Sequence, residues 1–409
     1  MELEKHKRLA LITNWYPPKS GVAVNRMKAF ANYLSLDYVV EVFCDGLENK
    51  TEIINDRLIV HFIESKHILD QLKSNPKDFK LLHNVKTALR ILASKIWQEP
   101  LKNWKKETLA RLKKVHEKDP FDIIVSSYAP KDPHQIALQF KNDFPNVKWL
   151  ADMRDEMYLN QNIHGKIKLE LKKLEEEIAE VVDGIISVSE PIVKAFKENY
   201  PHILFFDEIR NGFDFDRSSL LKSEVENNNV KIGYFGTFYG GRKPERFFNA
   251  IIEVQTDFPE LTIEIHLVGT HKNFDIPSKL QNNVIMHPPM PYTKAIEFMH
   301  SMDANLLVEP ISERKGIFTG KIFDYLAVKK PIIAIVDTTD VAADLIQEMN
   351  AGYIASFDDA KDQAEMISLF FKDFSNHKIM AGSEEQINAL HRKESVKKLS
   401  LFINKMLEG

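Results

Sequence analysis

The stretch Gly316-Ile-Phe-Thr-Gly-Lys-Ile-Phe-Asp-Tyr-Leu-Ala-Val-Lys-Lys-Pro331, followed at once by Ile-Ile-Ala-Ile-Val336, predicts a glycine-bearing loop, a short helix and a buried strand. A loop that ends in Thr319-Gly320-Lys321 presents unpaired backbone N–H groups at the helix start, where the helix dipole and a lysine both favour an anion. Asp324, one turn further on, offers acceptors for sugar hydroxyls. A phosphate site beside a polyol site indicates a nucleotide or a nucleotide sugar. An ordinary loop-to-helix junction with a solvated lysine is the alternative.

Short apolar segments recur along the chain between segments of helical periodicity, which is typical of parallel sheets covered by helices on both faces. The alternation pauses after residue 214 and then restarts. The sequence therefore predicts an α/β protein of two Rossmann-like domains, residues 1–214 and 215–382, followed by a C-terminal helix over residues 383–409. The predicted strands are residues 8–13, 39–44, 58–62, 123–126, 147–151, 184–188, 231–234, 262–268, 284–286, 304–308, 331–336 and 352–355.

The composition is that of a soluble globular protein, with 409 residues, 44% hydrophobic and 28% charged residues, and a formal net charge of −4. The net charge argues against a nucleic-acid partner. The single cysteine, Cys44, excludes an internal disulfide and a multi-cysteine metal site. Because no segment has the length and apolarity of a signal peptide or a membrane span, we expect a cytoplasmic protein.

Residues 66–118 interrupt the α/β alternation and carry 14 Lys or Arg against 5 Asp or Glu. Leucines at helical spacing, together with Trp104, predict a basic helical insertion that is amphipathic. Such a helix suits an anionic membrane surface, which would place the protein at the inner face of the cell membrane. The alternative is a helix whose apolar face packs on its own domain while its lysines stay in solvent.

Three loops at the predicted carboxyl edge of the first sheet carry candidate binding residues. The first contains Gly21, where backbone can approach a ligand closely. The second places His134 near a helix start, either as a hydrogen-bond partner for a substrate hydroxyl or as a residue without a chemical role. The third carries Asp152, Arg154 and Asp155 directly after a buried strand. Those three charges must pair with one another or meet a ligand.

In the second half, the first predicted strand runs into Tyr234-Phe-Gly-Thr-Phe-Tyr-Gly-Gly-Arg-Lys-Pro244. Arg242 and Lys243 supply cationic donors suited to a diphosphate. The chain contains neither a Gly-x-Gly-x-x-Gly motif nor a Walker lysine motif, which weakens the interpretations as a dehydrogenase or a P-loop protein. No metal cluster is evident in the sequence, so we expect neither a metal nor another cofactor.

Taken in order and spacing, these motifs resemble the retaining GT-B glycosyltransferases related to glycosyltransferase family four, especially bacterial enzymes that build surface polysaccharides. The resemblance covers nearly the whole chain. It is carried by Pro17-Pro18 with Gly21, Ser126-Ser127 with Pro130, Asp152-Met-Arg-Asp155, Val188-Ser-Glu-Pro191, Asn211-Gly-Phe-Asp214, Tyr234-Phe-Gly-Thr and Thr319-Gly-Lys-Ile-Phe-Asp-Tyr-Leu-Ala327.

The resemblance implies that the second domain binds a nucleotide-diphosphate sugar and the first domain a glycan or lipid-linked acceptor, on either side of an interdomain cleft. The sugar would be transferred with retention of configuration and without a metal, in the synthesis of a cell-surface polysaccharide or a glycolipid. The last helix would cross back to the first domain.

The resemblance also assigns residue roles. His134, Arg242, Lys321 and Asp324 are the implied catalytic residues: the two cations stabilise the leaving diphosphate, and Asp324 holds the ribose. The implied donor-binding set is Gly236, Thr237, Arg242, Lys243, Gly316, Thr319, Gly320, Lys321 and Asp324. The implied acceptor side is Gly21, Asp152, Arg154 and Asp155.

One departure from the family pattern concerns its acids. Many members carry two glutamates separated by seven residues, for which this chain has Gly316 and Asp324. The second acid survives in shortened form, and Glu313 or Glu309 is the candidate replacement for the first.

A second departure concerns the phosphate-binding cations. The family's arginine and lysine, with four residues between them, correspond here to Thr237 and Arg242. Two alternatives therefore stay open besides a transferase: a sugar-nucleotide epimerase of the same fold, and a non-catalytic subunit that binds a sugar nucleotide or a partner enzyme.

Overall fold

A computed structural model describes residues 6–65, 101–160, 163–220, 228–271 and 273–409. The chain forms two compact units, the first comprising Met1–Ile209 and Val396–Gly409 and the second Arg210–Ser395. The division that the sequence predicted after residue 214 lies a few residues beyond this boundary.

The described part of the first unit contains an eight-stranded sheet in the order β3-β4-β2-β1-β5-β6-β7-β8. Neighbouring strands are parallel, except that β3 runs antiparallel to β4. Its elements are β1 (Arg8–Thr13), α1 (Val22–Leu34), β2 (Val39–Gly46), β3 (Lys50–Asn55), β4 (Leu58–Glu64), α2 (Lys102–Lys118), β5 (Ile123–Ser127), α3 (Asp132–Asp143), β6 (Lys148–Asp152), α4 (Gly165–Ala179), β7 (Gly184–Ser187), α5 (Glu190–Asn199) and β8 (Phe205–Glu208).

The second unit is built on a sheet that, among the described residues, has six parallel strands in the order β11-β10-β9-β12-β13-β14. Its elements are β9 (Asn229–Phe235), α6 (Glu245–Val254), β10 (Thr262–Val268), β11 (Val284–His287), α7 (Tyr292–Ser301), β12 (Ala304–Val308), α8 (Gly320–Ala327), β13 (Ile332–Val336), α9 (Val341–Glu348), β14 (Gly352–Ser356), α10 (Ala360–Ser375) and α11 (Glu384–Ala389).

Strand β13 shows why the second sheet appears in the sequence as uninterrupted apolar runs. Ile333 and Ile335 belong to one buried cluster, while Ile332, Ala334 and Val336 belong to another. Because successive side chains of a strand point to opposite faces, β13 is buried on both faces of its sheet. The loop, helix and strand predicted from residue 316 onward are confirmed as the segment that leads through α8 into β13.

The last helix, α12 (Arg392–Glu408), begins in the second unit and ends in the first. Leu399, Ile403 and Met406 are buried in the core of the first unit together with residues of β1 and β2. The single helix predicted over residues 383–409 is in fact two helices, α11 and α12. The helical conformation is interrupted between them, where the Arg392 N–H donates to the Phe213 carbonyl over 2.9 Å.

Helix α2 corresponds to the C-terminal part of the predicted basic insertion, whose residues 66–100 lie outside the described part of the chain. Trp104 and Leu112 are fully buried, and α2 packs against α3, β2 and β4. Lys113 pairs with Asp143 at 2.6 Å. The Trp104 indole is thus enclosed by its own unit, as in the alternative in which the apolar face of the helix packs on its own domain. None of the helices in the described residues has the length and apolarity to cross a membrane.

Candidate functional site

Lys321 lies at the carboxyl edge of the second sheet, in the first turn of α8. Its ammonium is 2.9 Å from the Tyr234 hydroxyl and 4.0 Å from the centroid of the Tyr234 ring. Tyr234 is itself fixed, since its ring stacks on Phe238 with centroids 3.9 Å apart. The end of β9 therefore positions the lysine side chain of α8.

Gly236, directly after β9, is packed against this lysine. Its φ is +116°, and a Cβ added there would lie 3.0 Å from Lys321 Cε and 3.2 Å from Lys321 Nζ. Both the backbone conformation and the available space thus require glycine at this position.

Arg242 provides a second cation near Lys321. Its guanidinium is 3.3 Å from a Glu309 carboxylate oxygen and lies over the Tyr239 ring at 4.4 Å. Glu309 comes directly after β12, and burial raises its pKa even though Arg242 opposes the shift. Of the two acids considered as replacements for Gly316, Glu309 is thus the one beside the cations, whereas the Glu313 side chain is exposed.

Burial lowers the Lys321 pKa to about 8, and the charge of Arg242 adds to this shift while Glu309 opposes it. Two cations share one carboxylate here. The cluster therefore carries a net positive charge at neutral pH, which is the condition for holding an anion.

The start of α8 adds backbone donors to the cluster. Thr319 is the N-cap residue, with φ −68° and ψ 140°, and its side chain makes no capping hydrogen bond. Since the first N–H groups of a helix have no partners within the helix, they are oriented toward whatever lies beyond its start.

Asp324 lies one turn beyond Lys321 on α8. Its carboxylate accepts a hydrogen bond from the Tyr292 hydroxyl over 2.7 Å. Burial raises the Asp324 pKa to about 6, although Tyr292 and Arg392 both oppose the shift. The acid and the lysine thus occupy successive turns of one helix.

The remaining second-unit candidates have supporting positions. The Gly316 N–H donates to Asp340 Oδ1 over 2.7 Å, and the same oxygen caps α9. The Thr237 carbonyl accepts from the Tyr234 hydroxyl over 3.2 Å. Lys243 follows Arg242 with an exposed side chain. Gly316 thus belongs to the loop that leads into α8 and Lys321, and Thr237 to the loop that carries Arg242.

In the first unit, Asp152 is fully buried and bonded within the protein. Its carboxylate accepts two hydrogen bonds from Arg26, over 2.8 and 3.1 Å, and one from the Ser127 hydroxyl over 2.8 Å. Arg154 donates instead to the backbone carbonyls of Tyr128 and Ala129. Asp152 therefore pairs with a residue outside its own loop. The partner is Arg26 on α1, 126 residues away in sequence.

His134 lies in the first turn of α3 and is fully buried. Its Nδ1 is 2.6 Å from the Ser126 hydroxyl, which also accepts from the Trp149 indole over 2.8 Å. Burial lowers the His134 pKa to about 3, so the ring is neutral at physiological pH. A neutral ring can accept or donate a hydrogen bond but carries no charge to an anion.

The other first-unit candidates are Gly21 and Asp155. Gly21 has φ +129°, precedes α1, and an added Cβ would meet nothing within 4 Å. The Asp155 side chain is half-buried. Among the second-unit candidates, Gly236 and Arg242 thus lie beside Lys321, and Asp324 lies one turn further along the same helix. The sequence interpretation missed Tyr234 and Tyr292, whose contacts with Lys321 and Asp324 join distant segments.

No protein-family model and no curated protein sequence matches this chain. Solved structures do share its fold. Sucrose-phosphate synthase from Thermosynechococcus elongatus is 13% identical, with a TM-score of 0.64 over 98% of this chain and 99% of that chain. A glycosyltransferase from Rickettsia africae is 15% identical, with a TM-score of 0.63 over all of both chains. HepE from Anabaena, solved in complex with UDP-glucose, is 14% identical, with a TM-score of 0.59 over 98% of this chain and 100% of that chain.

These structural similarities identify the fold. The chain has the GT-B fold of two Rossmann-like domains, as the sequence predicted.

Proposed function

We propose that this protein is a glycosyltransferase that moves a sugar from a nucleotide diphosphate to an acceptor. The observation that carries the proposal is the pair Lys321 and Arg242, with net positive charge, beside the uncapped start of α8. A diphosphate is the ligand whose charge and oxygen acceptors match cationic side chains and helix N–H groups together.

The same donors would act in the reaction. When the bond between the sugar and the diphosphate breaks, negative charge grows on the leaving phosphate oxygens. Donors that are already oriented in a partly buried site stabilise that charge without reorganisation. Arg242 and Lys321 are such donors, because the Tyr239 and Tyr234 rings and Glu309 fix their positions.

In this proposal, Asp324 binds the ribose of the same ligand. It lies one helical turn from Lys321, and a carboxylate accepts hydrogen bonds from adjacent hydroxyls. HepE was solved with UDP-glucose. Uridine diphosphate sugars are therefore the first donors to test.

Four finer points belong to the same proposal. The sugar is transferred with retention of configuration, which proton NMR of the product anomer tests. The reaction needs no metal, so activity persists in EDTA. The acceptor is a glycan or a lipid-linked sugar of surface polysaccharide synthesis, and the protein works in the cytoplasm. An inverted product, or activity abolished by EDTA and restored by a divalent cation, would contradict the corresponding point.

The proposal also includes contact with an anionic membrane surface through residues 66–118. In the described portion, the lysines at 102, 106 and 114 of α2 are exposed, while the apolar face of the helix is packed. Flotation with vesicles that contain an anionic lipid tests the contact, and a protein that stays unbound at low salt refutes it.

Release of nucleotide from a panel of nucleotide sugars, with glycan and lipid-linked acceptors, tests the activity itself. We expect Lys321→Ala and Arg242→Ala to abolish release while circular dichroism stays unchanged. Lys361→Ala is the matched control, because Lys361 on α10 has an 86% exposed side chain. Full release by both site variants would contradict the proposal. Nucleotide binding without release would favour a non-catalytic binding subunit.

A further inference from the structure

A polar cluster of Asn14, Lys19 and Asp45 lies at the carboxyl edge of the first sheet. Asn14 directly follows β1, and Asp45 is the penultimate residue of β2. Thr13 lies opposite Cys44 in the parallel register of these strands, so Asn14 and Asp45 are the next pair along the edge. This is the edge at which open α/β sheets bind ligands.

Lys19 holds both side chains. Its ammonium is 2.6 Å from Asp45 Oδ2, 3.3 Å from Asn14 Oδ1 and 2.8 Å from the Asn14 backbone carbonyl. An ammonium has three donors and no acceptor, so these contacts use its full capacity. They also fix the Asn14 amide, because only its oxygen can face the lysine.

The second polar atom of each side chain has no hydrogen bond to Lys19. Asn14 Nδ2 and Asp45 Oδ1 are buried and have no hydrogen-bond partner among the residues that the structure describes. Asn14 as a whole is only 7% exposed. Buried polar atoms are normally bonded, so an unpaired donor and an unpaired acceptor on two side chains that contact the same ammonium indicate a group that supplies both complements.

We infer that Asn14 and Asp45 form a subsite for a hydroxyl group of the acceptor sugar. A hydroxyl accepts from Asn14 Nδ2 and donates to Asp45 Oδ1. Because Lys19 neutralises Asp45, the cluster has no net charge, which favours a neutral polyol over a phosphate or a metal ion. The inference rests on the proposed transfer reaction, since it identifies the hydroxyl as part of the acceptor.

The subsite contributes to affinity for the acceptor and does not affect affinity for the nucleotide donor. Loss of one hydrogen bond that leaves a buried polar atom without a partner costs about 1–3 kcal/mol, which is roughly 5-fold to 150-fold in affinity. Asn14→Ala and Asp45→Asn should therefore weaken acceptor binding at least about fivefold and leave UDP affinity unchanged. Asn14→Asp should be at least as harmful as Asn14→Ala, because it places a second carboxylate beside Asp45.

The test is saturation-transfer NMR of the full-length protein with the methyl glycosides of glucose, galactose, mannose and N-acetylglucosamine, alongside calorimetric titration with UDP. Asn199→Ala is the control, because Asn199 is an exposed asparagine at the end of α5. We expect wild type and control to bind at least one glycoside, and Asn14→Ala and Asp45→Asn to lose that signal. Asp45→Asn is nearly isosteric and serves if Asn14→Ala does not fold.

Equal glycoside signals in wild type and both variants would overturn the inference, as would the absence of any glycoside signal from wild type. Failure of the proposed donor chemistry looks different. It appears as absence of UDP binding to wild type, which the titration measures independently of the glycosides.

Discussion

Lys321 combines burial with a positive charge. Burial lowers its pKa to about 8, and Arg242 contributes to this shift. A bound diphosphate would raise the Lys321 pKa again, because an adjacent anion favours the protonated lysine. Proton uptake and ligand binding at Lys321 are therefore linked above about pH 8.

The sign of that linkage gives the first prediction. Below about pH 8 the free lysine is already charged, so affinity for UDP is constant. As the pH rises above about 8, binding must include protonation, and affinity falls by up to about tenfold per pH unit. The phosphates of UDP are already ionised over this range. Titration calorimetry between about pH 7 and pH 9 measures the effect. Lys321→Arg stays charged and should show a flat profile; a wild-type profile equally flat would contradict the pKa assignment.

Gly236 has no room for a larger side chain beside Lys321. Gly236→Ala brings a methyl group to 3.0 Å from Lys321 Cε in a backbone with φ +116°. We expect the lysine to be displaced, UDP affinity to fall at least tenfold, and the free energy of unfolding to fall by about 1–3 kcal/mol.

Gly240→Ala is its matched control. Gly240 also has positive φ, at +59°, but an added Cβ would meet nothing within 4 Å. It should cost about 1–2 kcal/mol of stability through backbone strain alone and leave UDP affinity as in wild type. Equal affinities in the two variants would show that the close approach at Gly236 is unimportant for binding.

Among the elements, α1 and β6 are joined by the buried ion pair between Arg26 and Asp152. Both side chains are almost completely inaccessible, at 2% and 0% exposure. Removing one partner leaves the other charge buried, so Asp152→Ala should lower the free energy of unfolding by about 3–5 kcal/mol. Urea denaturation measures this loss.

Two further variants distinguish the contribution of the ion pair from that of the neighbouring hydrogen bond. Ser127→Ala removes one hydrogen bond to the same carboxylate and should cost less than Asp152→Ala, about 1.5–3 kcal/mol. The double variant Arg26→Met with Asp152→Leu should be more stable than Asp152→Ala, because no isolated charge remains. If Asp152→Ala were no less stable than Ser127→Ala, the structural role of Asp152 would be refuted.

Sequence patterns predicted most elements because buried parallel strands are continuous apolar runs. They missed β3 and β8. Strand β3 is an antiparallel edge strand in which Ile53 is 75% exposed, and β8 has four half-buried residues. Neither has the run of buried residues that marks a parallel strand.

The candidate site was predictable where its parts are contiguous. Thr319, Lys321 and Asp324 share one loop-to-helix segment, so helical spacing alone relates them. Contacts across the fold were not visible in the same way. The Lys321 contact with Tyr234 spans 87 residues and the Arg26 contact with Asp152 spans 126. Such pairs depend on which strands are neighbours in a sheet, which local periodicity does not specify.

For the whole molecule, α12 ties the C-terminus to the core of the first unit. Removing Val396–Gly409 would expose apolar residues of the first unit, whereas the Lys321 site lies entirely in the second unit. The truncated chain should therefore show faster amide hydrogen exchange in β1, β2 and α1 and unchanged exchange in α8. Unchanged exchange in the first unit, or equal increases in both units, would contradict this division.

On the proposed function, the second unit binds a nucleotide diphosphate through Lys321 and Arg242. Calorimetric titration of wild type, Lys321→Ala and Lys361→Ala with UDP and GDP near neutral pH measures this binding directly. We expect wild type and Lys361→Ala to bind at least one of the two nucleotides saturably. Affinity should be at least tenfold weaker in Lys321→Ala, since a hydrogen bond to a charged group is worth about 1.5–3 kcal/mol. Absence of binding by wild type, or equal affinity in Lys321→Ala, would contradict the assignment of this site.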